Sequence, residues 1–290
     1  MSLTSYIFCK NCTKSDRKRD AGLEIPDTVE YRRNIRYGEN KKYHILDICW
    51  PKKVKQEKLP VIVSVHGGGF VYGCKEVYQF YAASLAERGF AVINFNYRLA
   101  PKYKFPSPID DLNAVLAWLF EHKEEYPIDT DNVFLIGDSA GAQIASQYGV
   151  IYSNEKYAKI MEIKKPELTI KALSLACGTY DLKKRALNEG RKGLMKDYLT
   201  KTPLKYGEKL DILEHITSEY PPAYVFSSKG DFLLEECGIM ADYLKEKGVA
   251  CEHKIYGNEQ TYHVFHVDMR NEFSTEANND QTEFFKRFIG

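Results

Sequence analysis

Apolar positions along this chain gather into short continuous runs, and longer amphipathic stretches separate them. The runs at 61–65, 91–95, 133–136, 170–176 and 223–227 are mostly rich in β-branched or aromatic residues, and the more polar 251–256 also reads as a strand. Runs of this kind, without polar alternation, predict strands buried on both faces of a sheet. Between them, 77–88, 107–123, 140–153, 233–247 and 278–288 read as helices. The first of these stops at Gly89, and the second starts with Ser107 as N-cap, Pro108 at the first position and Asp110 at N3. Ahead of the first run, Tyr31 to Tyr37 and Lys42 to Trp50 flank a Gly38-Glu39-Asn40 turn and predict a hairpin. Lys52 to Lys58 is a charged loop, and a polar, helix-capable stretch follows Asp181 as far as about Tyr220. Strands alternating with helices predict an α/β fold: a mostly parallel twisted sheet with helices on both faces and the hairpin as an antiparallel edge. A single domain over 1–290 is expected, since neither an internal repeat nor a low-complexity linker interrupts the pattern.

Two predicted strands run straight into glycine-rich turns. Strand 61–65 leads into His66-Gly67-Gly68-Gly69-Phe70, and strand 133–136 into Gly137-Asp138-Ser139-Ala140-Gly141. A strand that enters Gly-x-Ser-x-Gly and continues as a helix is a nucleophile elbow, a sharp turn that leaves the serine hydroxyl exposed at the end of the sheet. The glycine triplet complements it, because backbone N–H groups without neighbouring Cβ atoms can cradle a developing oxyanion. A phosphate loop is the competing reading of the triplet. It is weakened by the lack of a Gly-x-x-x-x-Gly-Lys-Ser/Thr pattern and by Phe70-Val71-Tyr72, a poor phosphate loop. In this order and context the two segments point to an acyl-transfer hydrolase with Ser139 as nucleophile.

A serine hydroxyl needs a base to take its proton, and neutral histidine suits that task near pH 7. Hydrolases with such an elbow order their residues serine, acid, histidine. His44, His66 and His122 come too early, His215 lies in the polar insertion, and His253 sits inside a strand. His263 and His266 remain, both in the loop after the last strand. The acid belongs at the C-terminal end of a strand, which leaves Asp181 and Asp231. Asp231 precedes His263 by one strand–helix unit, so their loops should be neighbours. It also suits the N-cap of 233–247, and the two roles are compatible.

His66 to Phe70, Asn96-Tyr97-Arg98-Leu99-Ala100-Pro101 with Phe105-Pro106, Gly137 to Gly141 and the Asp231/His263 pair together resemble the hormone-sensitive-lipase-like branch of the α/β-hydrolases. That branch is mostly bacterial short-chain carboxylesterases and acetylesterases, and the resemblance runs from about Leu59 to Phe265. It implies the α/β-hydrolase fold, with Ser139 as nucleophile, Asp231 as acid and His263, in a His-x-Phe motif, as base. It implies an oxyanion hole from Gly68, Gly69 and Ala140, no metal or organic cofactor, and a small cap formed by about 1–30 and 183–219. Val264 stands where the motif usually has glycine, which keeps His266 in play, and Ala142 also replaces a common glycine. The insertion is rich in Lys and Arg and lacks a long apolar helix, so acetyl to butyryl esters are the expected substrates, hydrolysed through an acyl-enzyme. Two alternatives stand beside this: a carbohydrate acetylesterase, since 21 tyrosines could stack on sugars, and a non-catalytic small-molecule binder.

Charge and cysteine content narrow the partners. A net charge of +1 gives no general pull toward nucleic acid or an anionic membrane, and no apolar stretch has the length of a span. Met1 to Tyr6 lacks the features of a signal peptide, and seven scattered cysteines argue against a disulfide framework, so a cytoplasmic location is expected. Cys9-x-x-Cys12 has no second pair and reads as two thiols in a mobile N-terminal segment. The expected partner is a small-molecule ester; whether a second copy of the chain joins it as a homodimer stays open.

Overall fold

The computed structural model describes residues 1–54, 58–189, 192–200 and 202–290, so part of the charged loop at 52–58 lies outside the described residues. Eight strands form one sheet: β1 (Val29–Arg36), β2 (Ile45–Pro51), β3 (Leu59–Val65), β4 (Ala91–Phe95), β5 (Ile128–Asp138), β6 (Ile170–Ala176), β7 (Ala223–Ser228) and β8 (Cys251–Tyr256). Their order is β1-β2-β4-β3-β5-β6-β7-β8. The hairpin supplies the antiparallel edge, pairing β1 with β2 and β2 with β4, and every later pairing is parallel. Alternate residues of the inner strands serve opposite faces. Val61, Val63 and Val65 join the larger apolar cluster, whereas Ile62 joins the smaller one on the other side. The larger cluster is covered by α3 (Ser107–Glu121), α4 (Ala140–Ser153), α5 (Glu155–Met161) and α8 (Leu234–Glu246). The smaller is covered by α2 (Gln79–Glu87) and α9 (Ser274–Lys286). Val65 of β3 ends beside Gly137 of β5, and Asp138 beside Ala176 of β6. The loops that leave these aligned strand ends therefore meet at one edge of the sheet.

Three local expectations need correction. The N-terminal segment is helix α1 (Leu3–Asp20), where two thiols in mobile chain were expected. Its apolar pattern is weak because polar bonds hold it. Ser2 N–H donates to Asp197 at 2.7 Å, Tyr72 O–H donates to Asp16 at 2.7 Å, and the Arg270 guanidinium donates to the carbonyls of Arg19 and Ala21. Helix α5 was missed, although Asn154 is a good N-cap whose side chain accepts from Tyr157 N–H. Ser107 is the first residue of α3 and not its cap. Pro106 holds that position, and its carbonyl accepts from Asp110 N–H at 3.3 Å. The polar stretch after Asp181 forms α6 (Leu182–Glu189), α7 (Gly193–Tyr198) and two 3₁₀ segments, Pro203–Leu210 and Leu213–His215. Helix α7 packs on α1.

One buried ion pair ties the hairpin edge to the segment that follows the glycine triplet. Lys75, in the 3₁₀ turn Lys75–Tyr78, places Nζ 2.9 Å from Asp47 Oδ1 of β2, and the two side chains are 2% and 0% exposed. Removing the cation alone would leave a buried carboxylate without its main partner. Lys75→Met should therefore lose about 3–5 kcal/mol of stability in urea unfolding. Pairing it with Asp47→Asn should recover part of that loss, because no charge is then left stranded.

Candidate active site

Strand β5 ends at Asp138 and α4 begins at Ala140, which leaves Ser139 at φ 51°, ψ −116°, a conformation costly for an L-residue. The crossing of strand and helix enforces it. A Cβ on Gly137 would lie 2.3 Å from the Gly141 carbonyl oxygen, and one on Gly141 only 2.0 Å from that of Val65. Ser139 N–H donates to the carbonyl of Ala176 at 2.9 Å, so β6 anchors the turn. Residues 140–151 of α4 are all buried, and its first amides, beginning with Ala140, have no intrahelical acceptor and stand at the positive end of the helix dipole. On the facing loop, Gly68 and Gly69 have φ of 113° and 58°, and the amides of Val71 and Tyr72 close the turn onto the Gly68 carbonyl at 3.2 and 3.0 Å.

Asp231 and His263 meet. His263 Nδ1–H donates to Asp231 Oδ1 at 2.8 Å, the amide of Leu233 donates to the same oxygen at 2.8 Å, and Ser227 Oγ–H donates to Oδ2 at 2.6 Å. Burial pushes this carboxyl up, but the His263 N–H and charge, with the Ser227 and Leu233 donors, outweigh it and hold it at about 2. Asp181, the other candidate, instead accepts from Lys184 N–H at the start of α6. His266 packs edge-on against Tyr81 and Phe226, at centroid distances of 5.3 and 5.1 Å, and does not join this group. Burial, with the neighbouring His263, lowers its imidazole to about 3. Val264 adopts φ 63°, ψ 31°, the left-handed conformation that glycine takes freely, so a β-branched residue carries the strain of this turn.

Ser139, Gly68, Gly69, Ala140 and His263 all line one cavity of about 550 Å³. Much of the rest of its wall comes from residues that motif reasoning did not find. Phe8, Cys12, Asp16 and Arg19 enter from α1, Leu194 and Met195 from α7, and Phe232 lies with its ring 4.4 Å from that of His263. The sequence pointed to these segments only as cap regions, about 1–30 and 183–219, and to Phe232 by its loop position directly after Asp231. Cys177 brings a third ligand-type atom near Asp231 and His263. Burial drives its thiol well above the ordinary value, and Asp231 already accepts three hydrogen bonds, so this donor set suits packing better than metal binding.

Fold and elbow together define an α/β-hydrolase, and the comparisons with known proteins place it among the carboxylesterases. The sequence matches the BD-FAE family over residues 46–238, and the chain belongs to that family. It is similar to an acetyl esterase of Salmonella schwarzengrund (strain CVM19633), 25% identical over 240 residues that cover 78% of this chain and 71% of the relative. In structure it resembles inhibited esterase B from Lactobacillus rhamnosis, with TM-score 0.84, 22% identity and coverage of 98% and 95% of the two chains. It also resembles a bacterial heroin esterase, with TM-score 0.75, 22% identity and coverage of 97% and 91%. Among the described residues no helix is long and apolar enough to cross a membrane.

Two buried histidines near the site are held neutral. His66, fully buried beneath the triplet, is lowered to about 4 chiefly by burial, and His266 to about 3. The unfolded chain protonates both below about 6.5. Each therefore contributes stability at neutral pH that is lost as pH falls through 6.5 toward its folded value. Long-range ¹H–¹⁵N NMR of the folded protein should show both rings as neutral tautomers from pH 8 down to 5; a cationic ring at pH 5.5 would contradict this.

Proposed function

We propose that this chain hydrolyses short-chain carboxylic esters, acetyl to butyryl, with Ser139 as nucleophile, His263 as base and Asp231 as the acid that orients it. The observation that carries the reading is the 2.8 Å His263–Asp231 bond on a ring that lines the same cavity as the elbow serine. Nδ1 is occupied by Asp231, so Nε2 is the nitrogen free to take the Ser139 proton as Oγ attacks the ester carbonyl. The oxyanion then accepts from the amides of Gly68, Gly69 and Ala140, each worth roughly 3 kcal/mol in the transition state. His263 returns the proton to the departing alkoxide, leaving an acyl-enzyme. Water, deprotonated by the same imidazole, attacks that ester; the imidazolium then gives the proton to Ser139 Oγ as the acid leaves, restoring the serine. Asp231 stays ionised throughout, as its low value requires. No metal or organic cofactor enters these steps.

Residues 1–30 and 183–219 act as the cap in this reading. Leu194 of α7 lies so close over Gly69 that a Cβ there would sit 2.3 Å from its Cδ1, and Phe8 flanks the same glycine. Such a roof limits the acyl chain. The names of the relatives point the same way: acetyl esterase, and an esterase B held by a C4-C4 tributyrin phosphonate. A second reading, an acetylesterase for carbohydrates, is favoured by the aromatic surface at the cavity mouth, where Phe232 is 76% and Tyr262 46% exposed.

With p-nitrophenyl esters, kcat/KM should be highest from acetate to butyrate and fall toward decanoate. Ser139→Ala should lose more than about 10⁴-fold in kcat with its fold intact. Rates that climb steadily to decanoate would overturn the acyl-length claim. Failure of a fluorophosphonate to label Ser139 would favour a non-catalytic binder on the same fold.

A further inference from the structure

We propose that Tyr78 and Asp138 are a positioning pair for the oxyanion-binding loop, in which one tyrosine hydroxyl ties the first glycine of the triplet to the carboxyl group beside the nucleophile. This rests on the reading of Ser139, Gly68 and Gly69 given above. The parallel pairing of β3 with β5 ends at Val65 and Gly137, just short of the residues that matter. Past that point the ladder no longer sets how the triplet stands relative to the elbow. A short side-chain relay does. Gly67 N–H donates to Tyr78 Oη at 2.9 Å, and Tyr78 O–H donates to Asp138 Oδ2 at 2.8 Å. Asp138 is joined by a peptide bond to Ser139, and Gly67 to Gly68. The hydroxyl therefore bridges the carboxyl of the residue before the nucleophile and the amide of the residue before the donors.

Packing and anchoring make the relay stiff. Tyr78 and Asp138 are buried, and a Cβ on Gly67 would lie 2.2 Å from Asp138 Oδ2, so the carboxylate and the loop are in direct contact. Tyr78 stands on the 3₁₀ turn whose first residue is fixed from three sides. Lys75 N–H donates to Asn96 Oδ1, Asn94 Nδ2 donates to the Lys75 carbonyl, and Lys75 Nζ meets Asp47. From above, the Arg19 guanidinium of α1 donates to the carbonyl of Val77. Oxyanion donors work only within a few tenths of an ångström of their ideal distance, so a loop released from this tie should bind the ground-state ester normally and the transition state poorly.

Tyr78→Phe removes the hydroxyl and keeps the ring. It should lower kcat on p-nitrophenyl acetate roughly tenfold to hundredfold, leave KM within about twofold, and slow labelling by a fluorophosphonate in parallel. Asp138→Asn, whose amide oxygen still accepts from Tyr78, should retain more activity than Tyr78→Phe. Wild-type labelling is measured first: an unlabelled wild type refutes the esterase reading, whereas a labelled wild type with folded Tyr78→Phe equal to it in kcat refutes the positioning role alone. A loss larger in Asp138→Asn than in Tyr78→Phe also overturns it, by pointing to the carboxylate charge in place of the tie. Should Tyr78→Phe not fold, Gly67→Ala, which pushes Asp138 off the loop, carries the same test: a selective fall in kcat supports the role and an unchanged kcat refutes it.

Discussion

The close approach of strand β3 and the start of α4 is the constraint on which the rest of this molecule depends. The carbonyl of Val65 stands where a single added carbon on Gly141 would come within 2.0 Å. Side chains cannot intervene at that crossing, so the backbone of the elbow and that of the triplet loop are forced side by side. The left-handed Ser139 and the exposed first amides of α4 follow from it. The strain at Ser139 is sustained because the surrounding helix is buried over its first twelve residues and has no room to relax.

Charges inside the protein are managed differently according to what they touch. Lys75 and Asp47 are both buried and remain a pair. Asp231 keeps its charge because three donors surround it. Asp138 has a buried site with fewer donors, and burial pushes it up to about 7 even though Tyr78, His263 and Arg19 pull it down. Two carboxyl groups of the same kind, both acted on by His263, are thereby pushed in opposite directions. Opposite environments, not residue type, set them apart. The two buried histidines complete the pattern, since burial disfavours the doubly protonated, cationic ring in each.

The cavity owes much of its wall to segments with little apolar pattern. Helix α1 is anchored by Ser2, Asp16, Arg19 and the Arg270 guanidinium more than by a greasy stripe, and it still brings Phe8 and Cys12 to the site. Helix α7 is only six residues long, yet it puts Leu194 against Gly69. Elements of this kind can change in sequence without disturbing the sheet beneath, and they are the ones a bound ester would meet.

By itself the sequence determined the central sheet, its antiparallel edge and the positions of the elbow and the triplet, because strand burial and glycine turns are written in local runs and spacings. It also brought Asp231 and His263 forward by chain order, and the geometry joins them. It left His263 against His266 undecided on residues alone, and it missed α1, α5 and the Tyr78 relay. Helix α5 had a local signal in its Asn154 cap, whereas the others depend on contacts between distant parts of the chain: Ser2 with Asp197, Gly67 with Tyr78, His266 with Phe226. A hydrogen bond or a ring contact across the fold leaves no periodicity behind. Only the tertiary structure could decide them, because burial and direction belong to the packed chain and not to the order of its residues.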